Sequence, residues 1–250
     1  MNQSMRVLVF LLAIGCFAFT TENYRATHIF MIGDSTMANK PERNLPEYGW
    51  GQVLNHFFTD EIVVDNHAKN GRSSKSFIDE GSWEKVINRV QEGDYVIIQF
   101  GHNDQKSDTA RYTGPFDTYQ KNLKKFLNET KEKGGIPILC TSIVRRLFDE
   151  NGILKDSHGD YLTGVIQVAN ETGVYFIDME AKTRKLVESL GPEKSKKLYL
   201  FFESGIYPHR PEGQEDNTHL SQLGTFTIAG LAIEEMKILG IPLVKELVKK

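Results

Sequence analysis

Cysteine is nearly absent. The 250 residues hold two, Cys16 and Cys140, and Cys16 falls in a leader-like segment. That excludes a disulfide framework and a thiolate metal cluster from the rest of the chain. A dominant sign of charge is also missing. The 30 basic and 33 acidic residues leave a formal net charge of -3, so no broad field draws the chain to nucleic acid or to an anionic membrane surface. There is no internal repeat, no low-complexity tract and no shift of composition that would mark a second domain. At 40% hydrophobic content, the composition suits one α/β domain with a sizeable core.

The longest apolar run comes first. Arg6 precedes residues 7–19, a stretch of signal-peptide length and too short for a comfortable transmembrane span. Residues 1–20 are therefore expected to be a signal peptide and 21–250 a single domain. Two processing routes are open. Ala18-Phe19-Thr20 suits a signal peptidase, whereas Ala13-Ile14-Gly15-Cys16 resembles a degenerate lipobox that would leave a lipid anchor on Cys16. The first makes the protein secreted or periplasmic, the second an outer-membrane lipoprotein.

Beyond the leader, apolar runs alternate with amphipathic ones. His28-Ile29-Phe30-Met31-Ile32 reads as a strand buried on both faces. It stops at Gly33-Asp34-Ser35, where Gly permits a sharp turn and Asp and Ser are turn and cap residues. Residues 47–58 carry Trp50, Val53, Leu54 and Phe57 at helical spacing and predict an amphipathic helix. Further strands are expected at 61–68, 95–100, 136–142 and 174–179. Helices are expected at 77–91, 116–133, 160–172, 181–190, 193–202 and 221–239, with a polar loop before the last. Such alternation implies right-handed βαβ crossovers and a parallel sheet covered on both faces, the α/β class.

Polar clusters follow these strands. They are Gly33-Asp34-Ser35, Asn70-Gly71-Arg72-Ser73, Gly101-His102-Asn103-Asp104 and Arg145-Arg146, and Asp216-Asn217-Thr218-His219 precedes the last helix. Parallel strands bring their post-strand loops to one carboxyl edge, where open α/β sheets bind ligands. A serine nucleophile needs a base within hydrogen-bond reach and a group that orients the base. Ser35, His219 and Asp216 are those residue types, and Asp216 and His219 are close enough in sequence for one turn to join them. The N–H of Ser35, the N–H of Gly71 and the side-chain amide of Asn103 are candidate oxyanion donors. Singly, each residue also suits a structural use. Gly-Asp-Ser is a common turn, Asn103-Asp104 fits an Asx-turn, and Asp216 and Ser221 suit a turn and a cap. Their order and shared edge favour acyl transfer.

The same blocks resemble those of the GDSL, or SGNH, hydrolase superfamily, whose four letters correspond here to Ser35, Gly71, Asn103 and His219. The resemblance spans residues 27–240. It implies a flavodoxin-like three-layer α/β/α sandwich with a five-stranded parallel sheet, and Ser-His-Asp catalysis without a metal or other cofactor. Gly33-Asp34-Ser35-Thr36-Met37-Ala38, residues 70–77, Arg145-Arg146 with Phe148-Asp149-Glu150-Asn151-Gly152, and residues 216–221 are further similar to rhamnogalacturonan acetylesterases of the twelfth carbohydrate esterase family. That likeness implies removal of O-acetyl groups from galacturonic acid units of the pectin backbone. Leu220 follows His219 where many superfamily members carry proline, which fits the pectin branch rather than the lipase-like one.

A galacturonate carboxylate calls for cations near the site. Arg72, Lys75, Arg145, Arg146, His209 and Arg210 are candidates, with Arg145 and Arg146 first because they follow a buried strand at the ligand edge. Tyr207 is a candidate platform for a sugar face. The expected partner is an acetylated polysaccharide or oligosaccharide, with no nucleic acid and no stable membrane insertion, and the chain is expected to act as a monomer. Acetylated xylan, lipids and thioesters are rival substrates for the same chemistry, although a lipase should carry an apolar lid and these loops are polar and basic. A non-catalytic carbohydrate-binding protein should have lost part of the triad, which is complete here. A flavin- or nucleotide-binding protein should cradle phosphate after the first strand, and Asp34 would repel it.

Overall fold

The computed structural model describes residues 25–249. The expected leader, its two cleavage routes and the Cys16 anchor lie outside the described residues. Chain order gives β1 (Thr27–Gly33), a 3₁₀ helix (Trp50–Phe57), β2 (Ile62–Asn66), α1 (Ser74–Asp79), α2 (Ser82–Ile87), β3 (Tyr95–Gln99), α3 (Thr118–Glu132), β4 (Ile136–Cys140), α4 (Asp160–Thr172), β5 (Tyr175–Ile177), α5 (Met179–Lys194), β6 (Tyr199–Phe202), β7 (Gln214–Leu220) and α6 (Gln222–Ile238).

The first five strands form one parallel sheet in the order β2-β1-β3-β4-β5. Alternation along β1 explains its layers. Ile29 and Met31 enter a core with Trp50 and Leu54 of the 3₁₀ helix, Val187 of α5 and Ile228 of α6. Phe30 and Ile32 enter a second core with Phe77 of α1, Trp83 of α2 and Phe126 of α3. A strand apolar on both faces needs helices on both faces, and the result is a three-layer α/β/α sandwich, as the sequence predicts. No helix among the described residues is long and apolar enough to cross a membrane.

Several expected elements take another form. The segment 47–58 is a 3₁₀ helix from Trp50, not an α-helix. Its start is pressed against the loop after β1: a Cβ on Gly49 would stand 2.2 Å from the Ala38 carbonyl oxygen. The apolar spacing at Trp50, Val53 and Leu54 survives because all three are buried. The helix expected over 77–91 is divided into α1 and α2 by Gly81, whose φ of 66° no other residue adopts easily. The helix expected over 193–202 is overturned in its second half. Gly191 and Pro192 kink α5, and the aromatic run Tyr199–Phe202 is β6, antiparallel to β7. The polar loop expected before the last helix ends in a strand, for Gln214–Leu220 is β7.

These differences matter because β7 leads into α6 through a tight clamp. Ser221 caps α6, its Oγ accepting from the Gly224 N–H at 3.1 Å, and its own N–H donates to the Leu198 carbonyl at 3.1 Å. A Cβ on Gly224 would lie 1.8 Å from that same carbonyl oxygen. Gly224→Ala should therefore cost about 1–3 kcal/mol, the usual range for overpacking. Calorimetry should show a Tm several degrees lower, at roughly 2–4 °C per kcal/mol for a chain of this size. An unchanged Tm would mean that α6 is not seated through this contact.

Candidate active site

Sheet order puts a topological switch point between β1 and β3. Ser35 follows β1 and Asn103 follows β3, so the two residues flank it. The turn that carries Ser35 is held by Asp34, which is fully buried. Asp34 Oδ1 accepts from the Thr36 N–H at 2.9 Å and the Thr36 hydroxyl at 2.8 Å. Gln99 Nε2 donates to Thr36 Oγ1 at 2.8 Å, and Trp50 Nε1 donates to Gln99 Oε1 at 2.9 Å. Asp34 Oδ2 faces His102 Nδ1 at 3.3 Å without hydrogen-bond alignment. Burial opposes ionisation of Asp34, but the facing His102 and the two donations from Thr36 outweigh it and hold the carboxyl down at about 2.

Ser35 Oγ lies 3.0 Å from His219 Nε2, and His219 Nδ1 lies 2.7 Å from Asp216 Oδ2. Residues three apart on a regular strand point to opposite faces. Here the register slips: Tyr199 pairs with Leu220 while Leu200 pairs with Asp216, so the intervening residues bulge out of the ribbon. The bulge curls back on Asp216 Oδ1, which accepts from the Thr218 N–H at 2.7 Å and the His219 N–H at 3.0 Å. Burial raises the Asp216 carboxyl, yet the hydrogen bond and charge of His219 and these backbone donors hold it well below the usual carboxylate range.

Gly71 turns the chain after β2 with a φ of 74°, and a Cβ there would meet nothing within 4 Å, so conformation and not space demands glycine. Asn103 Nδ2 donates to the Arg72 carbonyl at 3.1 Å, which leaves its second amide hydrogen for a ligand. The next residue, Asp104, is buried and accepts from the Ser74 N–H at 3.0 Å and the Ser74 hydroxyl at 2.5 Å, binding the β3 loop to the first turn of α1. Burial without a neighbouring cation pushes this carboxyl up to about 7 against those hydrogen bonds. Ser35, Gly71, Asn103 and His219 thus line one open cleft, together with Glu47, Asn70, His102, Lys106, Arg111, Arg145 and Thr218. A hydroxyl facing an imidazole, with amide donors beside it, can attack a carbonyl and shed its proton as it does so.

Residues 31–224 match the GDSL-like lipase/acylhydrolase family. The chain belongs to that family. It is 42% identical over 222 residues to the rhamnogalacturonan acetylesterase RhgT of Bacillus subtilis (strain 168), covering 89% of this chain and 94% of that protein. YesY of the same organism is 34% identical over 226 residues, 90% of this chain and 99% of its own length. Among solved structures, the crystal structure of the Bacillus subtilis protein YxiM superposes with a TM-score of 0.75 at 27% identity, covering 87% of this chain and 58% of that one. As a GDSL-like hydrolase with such relatives, the protein is a carboxylic-ester hydrolase.

In this GDSL-like hydrolase the expected nucleophile, base, orienter and oxyanion donors come together, whereas most expected substrate contacts do not. Arg145 lines the cleft, its Nη2 donating to the His102 carbonyl at 3.2 Å. Arg146 turns away, as consecutive residues of an extended segment do. It is buried, donates to Ser195 Oγ at 3.0 Å, Asn217 Oδ1 at 2.7 Å and the Pro192 carbonyl, and lies over the Phe201 ring. Arg72 is taken by Glu80 at 3.0 Å and the Asn70 carbonyl at 2.9 Å. Lys75 pairs with Asp79 and Arg210 with Glu47. Tyr207 packs edge-on against Phe202 and lines a separate groove with Leu45, Pro46 and Tyr48. His209 is exposed in the adjoining turn.

The cleft also holds residues that sequence reasoning passed over. Lys106 and Arg111 share the post-β3 loop with Asn103, so two basic residues at the ligand edge were an available signal. Glu47 had none, since it looked like the start of a helix.

Asp34 supplies a pH test. A carboxyl held below its unfolded value of about 3.9 adds stability that is complete above roughly pH 4 and lost as pH falls toward 2. Asp34→Asn should be less stable than wild type at neutral pH, by about 2 kcal/mol. Urea denaturation should also show that it loses less than wild type on going from about pH 5 to about pH 2.5. Equal acid losses in the two proteins would mean that Asp34 is not ionised in the fold.

Proposed function

We propose that the protein is a carbohydrate O-acetylesterase that deacetylates the rhamnogalacturonan backbone of pectin through Ser35, His219 and Asp216. The observation that carries this reading is the unbroken relay from Ser35 Oγ through His219 to Asp216, in a chain 42% identical to a rhamnogalacturonan acetylesterase. His219 Nε2 takes the hydroxyl proton as Ser35 Oγ attacks the acetyl carbonyl, and Asp216 holds the ring and stabilises the imidazolium. The N–H groups of Ser35 and Gly71 and the remaining amide hydrogen of Asn103 receive the oxyanion, each donor lowering the barrier by ~3 kcal/mol. His219 then protonates the departing sugar oxygen and the acetyl group stays on Ser35. Water attacks that ester with His219 again as base, releasing acetate and restoring the serine.

The charges of the cleft support a uronate substrate. Lys106, Arg111 and Arg145 line it beside the reacting serine, and burial only lowers the Arg145 guanidinium from a very high ordinary value. A galacturonate carboxylate gains from Lys106 and Arg145, and from Arg111 in competition with Asp108, which pairs with it at 2.6 Å, and a neutral xylan does not. We also propose that the mature enzyme works outside the cytoplasm, which Arg6 and the apolar residues 7–19 support. Metabolic labelling with palmitate distinguishes a lipidated Cys16 from plain cleavage.

Two measurements test the chemistry and the substrate separately. Ser35→Ala should lose nearly all p-nitrophenyl acetate hydrolysis, and Asn103→Ala should lose roughly 10²- to 10³-fold in kcat. Near-wild-type turnover by Ser35→Ala would remove the nucleophile. Lys106→Ala and Arg111→Ala should each raise KM for acetylated rhamnogalacturonan roughly 2- to 5-fold more than for acetylated xylan, the effect of a solvent-exposed charge contact. Faster acetate release from xylan than from rhamnogalacturonan by the wild type would overturn the pectin reading and leave the esterase intact.

A further inference from the structure

Among the described residues lining the cleft, Glu47 is the only acid, and the acyl-transfer steps make no use of it. It is nevertheless held with unusual care. Glu47 Oε1 forms an ion pair with Lys40 Nζ at 2.8 Å and Oε2 accepts from Arg210 Nη2 at 2.9 Å. The Lys40 side chain is 0% exposed, and its ammonium donates also to Asn70 Oδ1 at 2.5 Å. Arg210 donates further to Gln214 Oε1 at 2.6 Å and the Asn44 carbonyl at 3.1 Å. Each carboxylate oxygen has two lone-pair sites, so each can accept one more hydrogen bond. Lys40 and Arg210 together carry more charge than the one carboxylate between them, so the trio does not oppose a developing alkoxide or an acidic sugar.

The position of Glu47 is informative. Oε1 lies 4.0 Å from His219 Nε2, the nitrogen that faces Ser35 Oγ at 3.0 Å. That is too long for a hydrogen bond and the right span for both groups to touch neighbouring atoms of one ligand. Nε2 must reach the leaving oxygen to protonate it. On a sugar ring, a free hydroxyl on the adjacent carbon sits about one hydrogen-bond length from that oxygen.

We propose that Glu47 is a specificity-determining residue that accepts a hydrogen bond from the free hydroxyl next to the acetylated oxygen. The site then selects a sugar monoacetate flanked by a free hydroxyl, and disfavours a ring position whose neighbour is itself acetylated. This inference rests on His219 being the base that protonates the leaving sugar oxygen.

The test compares three esters with the full-length protein: p-nitrophenyl acetate, a methyl 2-O-acetyl galactopyranosiduronate, whose one adjacent free hydroxyl is at C3 because C1 carries the methoxy group, and its 3-deoxy-3-fluoro analogue. The fluorine nearly keeps the size of the hydroxyl but has no proton to donate. Wild-type kcat/KM should favour the hydroxyl compound over the fluoro compound by roughly 10- to 100-fold, the range for a hydrogen bond to a charged group. Glu47→Ala should bring that ratio close to one, and Glu47→Gln, which keeps one neutral acceptor, should fall between. A wild-type ratio near one overturns the proposal without any variant. So does a ratio that survives in Glu47→Gln and Glu47→Ala. Loss of p-nitrophenyl acetate turnover in Ser35→Ala identifies the serine esterase on its own, so an overturned Glu47 and an overturned esterase reading give different results.

Discussion

A carboxylate shut off from water sits one residue before the Ser35 hydroxyl, and the geometry of the site depends on it. An ionised group in the interior is costly unless it is hydrogen-bonded. Asp34 meets that demand within its own turn, through the N–H and the hydroxyl of Thr36. Any turn that let Thr36 go would strand the charge, so the chain has one acceptable path past Ser35. The constraint then spreads. Thr36 takes a hydrogen bond from Gln99, the polar end of an otherwise apolar β3, and Gln99 takes one from Trp50. A local turn is thereby tied to the strand across the switch point and to the helix beneath it.

His219 reaches Ser35 by a different route. It belongs to the β6–β7 ribbon, which pairs with none of the five sheet strands, and two strands alone are marginally stable. Its neighbours are therefore fixed one at a time. The Leu220 carbonyl accepts from the Tyr48 N–H at 3.0 Å, and the Asn217 carbonyl from the Arg146 N–H at 2.7 Å. The Arg146 side chain holds the amide oxygen of Asn217 as well, while its flat cation rests on Phe201. Arg146 matters to the site as a strut under the bulge that turns Asp216 and His219 toward each other.

What the sequence disclosed follows from this division. Strands buried on both faces are continuous apolar runs, so β1, β3 and β4 were legible, and the amphipathic α4 over Asp160–Thr172 was read with its observed bounds. β7 was not legible. Six of its seven residues, QEDNTH, are polar and give neither alternation nor an apolar run, because β7 itself buries only Leu220. The block residues were legible because their types and order match the chemistry and the family. Side-chain direction was not. A loop at the ligand edge says nothing of which of two adjacent arginines faces the cleft, and Arg145 and Arg146 went opposite ways. Glu47 had still less to announce it, since its place depends on cations from two other loops.

Those cations connect the proposed substrate contact to the proposed oxyanion donors. A buried ammonium is as costly as a buried carboxylate, and burial lowers the Lys40 amine while Glu47 supports its charge. Glu47 gains in turn, for burial opposes its ionisation and Lys40 restores it. Lys40 also holds Asn70, the residue before Gly71. The distance from the nucleophile loop to the donor loop is thus bridged by the same ammonium that fixes the acid of the cleft. Loss of the Glu47 charge would weaken the grip on Lys40, and with it the setting of the Gly71 N–H. In the proposed mechanism, the acid that meets the sugar and the backbone donor that meets the carbonyl oxygen therefore share one support, the Lys40 ammonium.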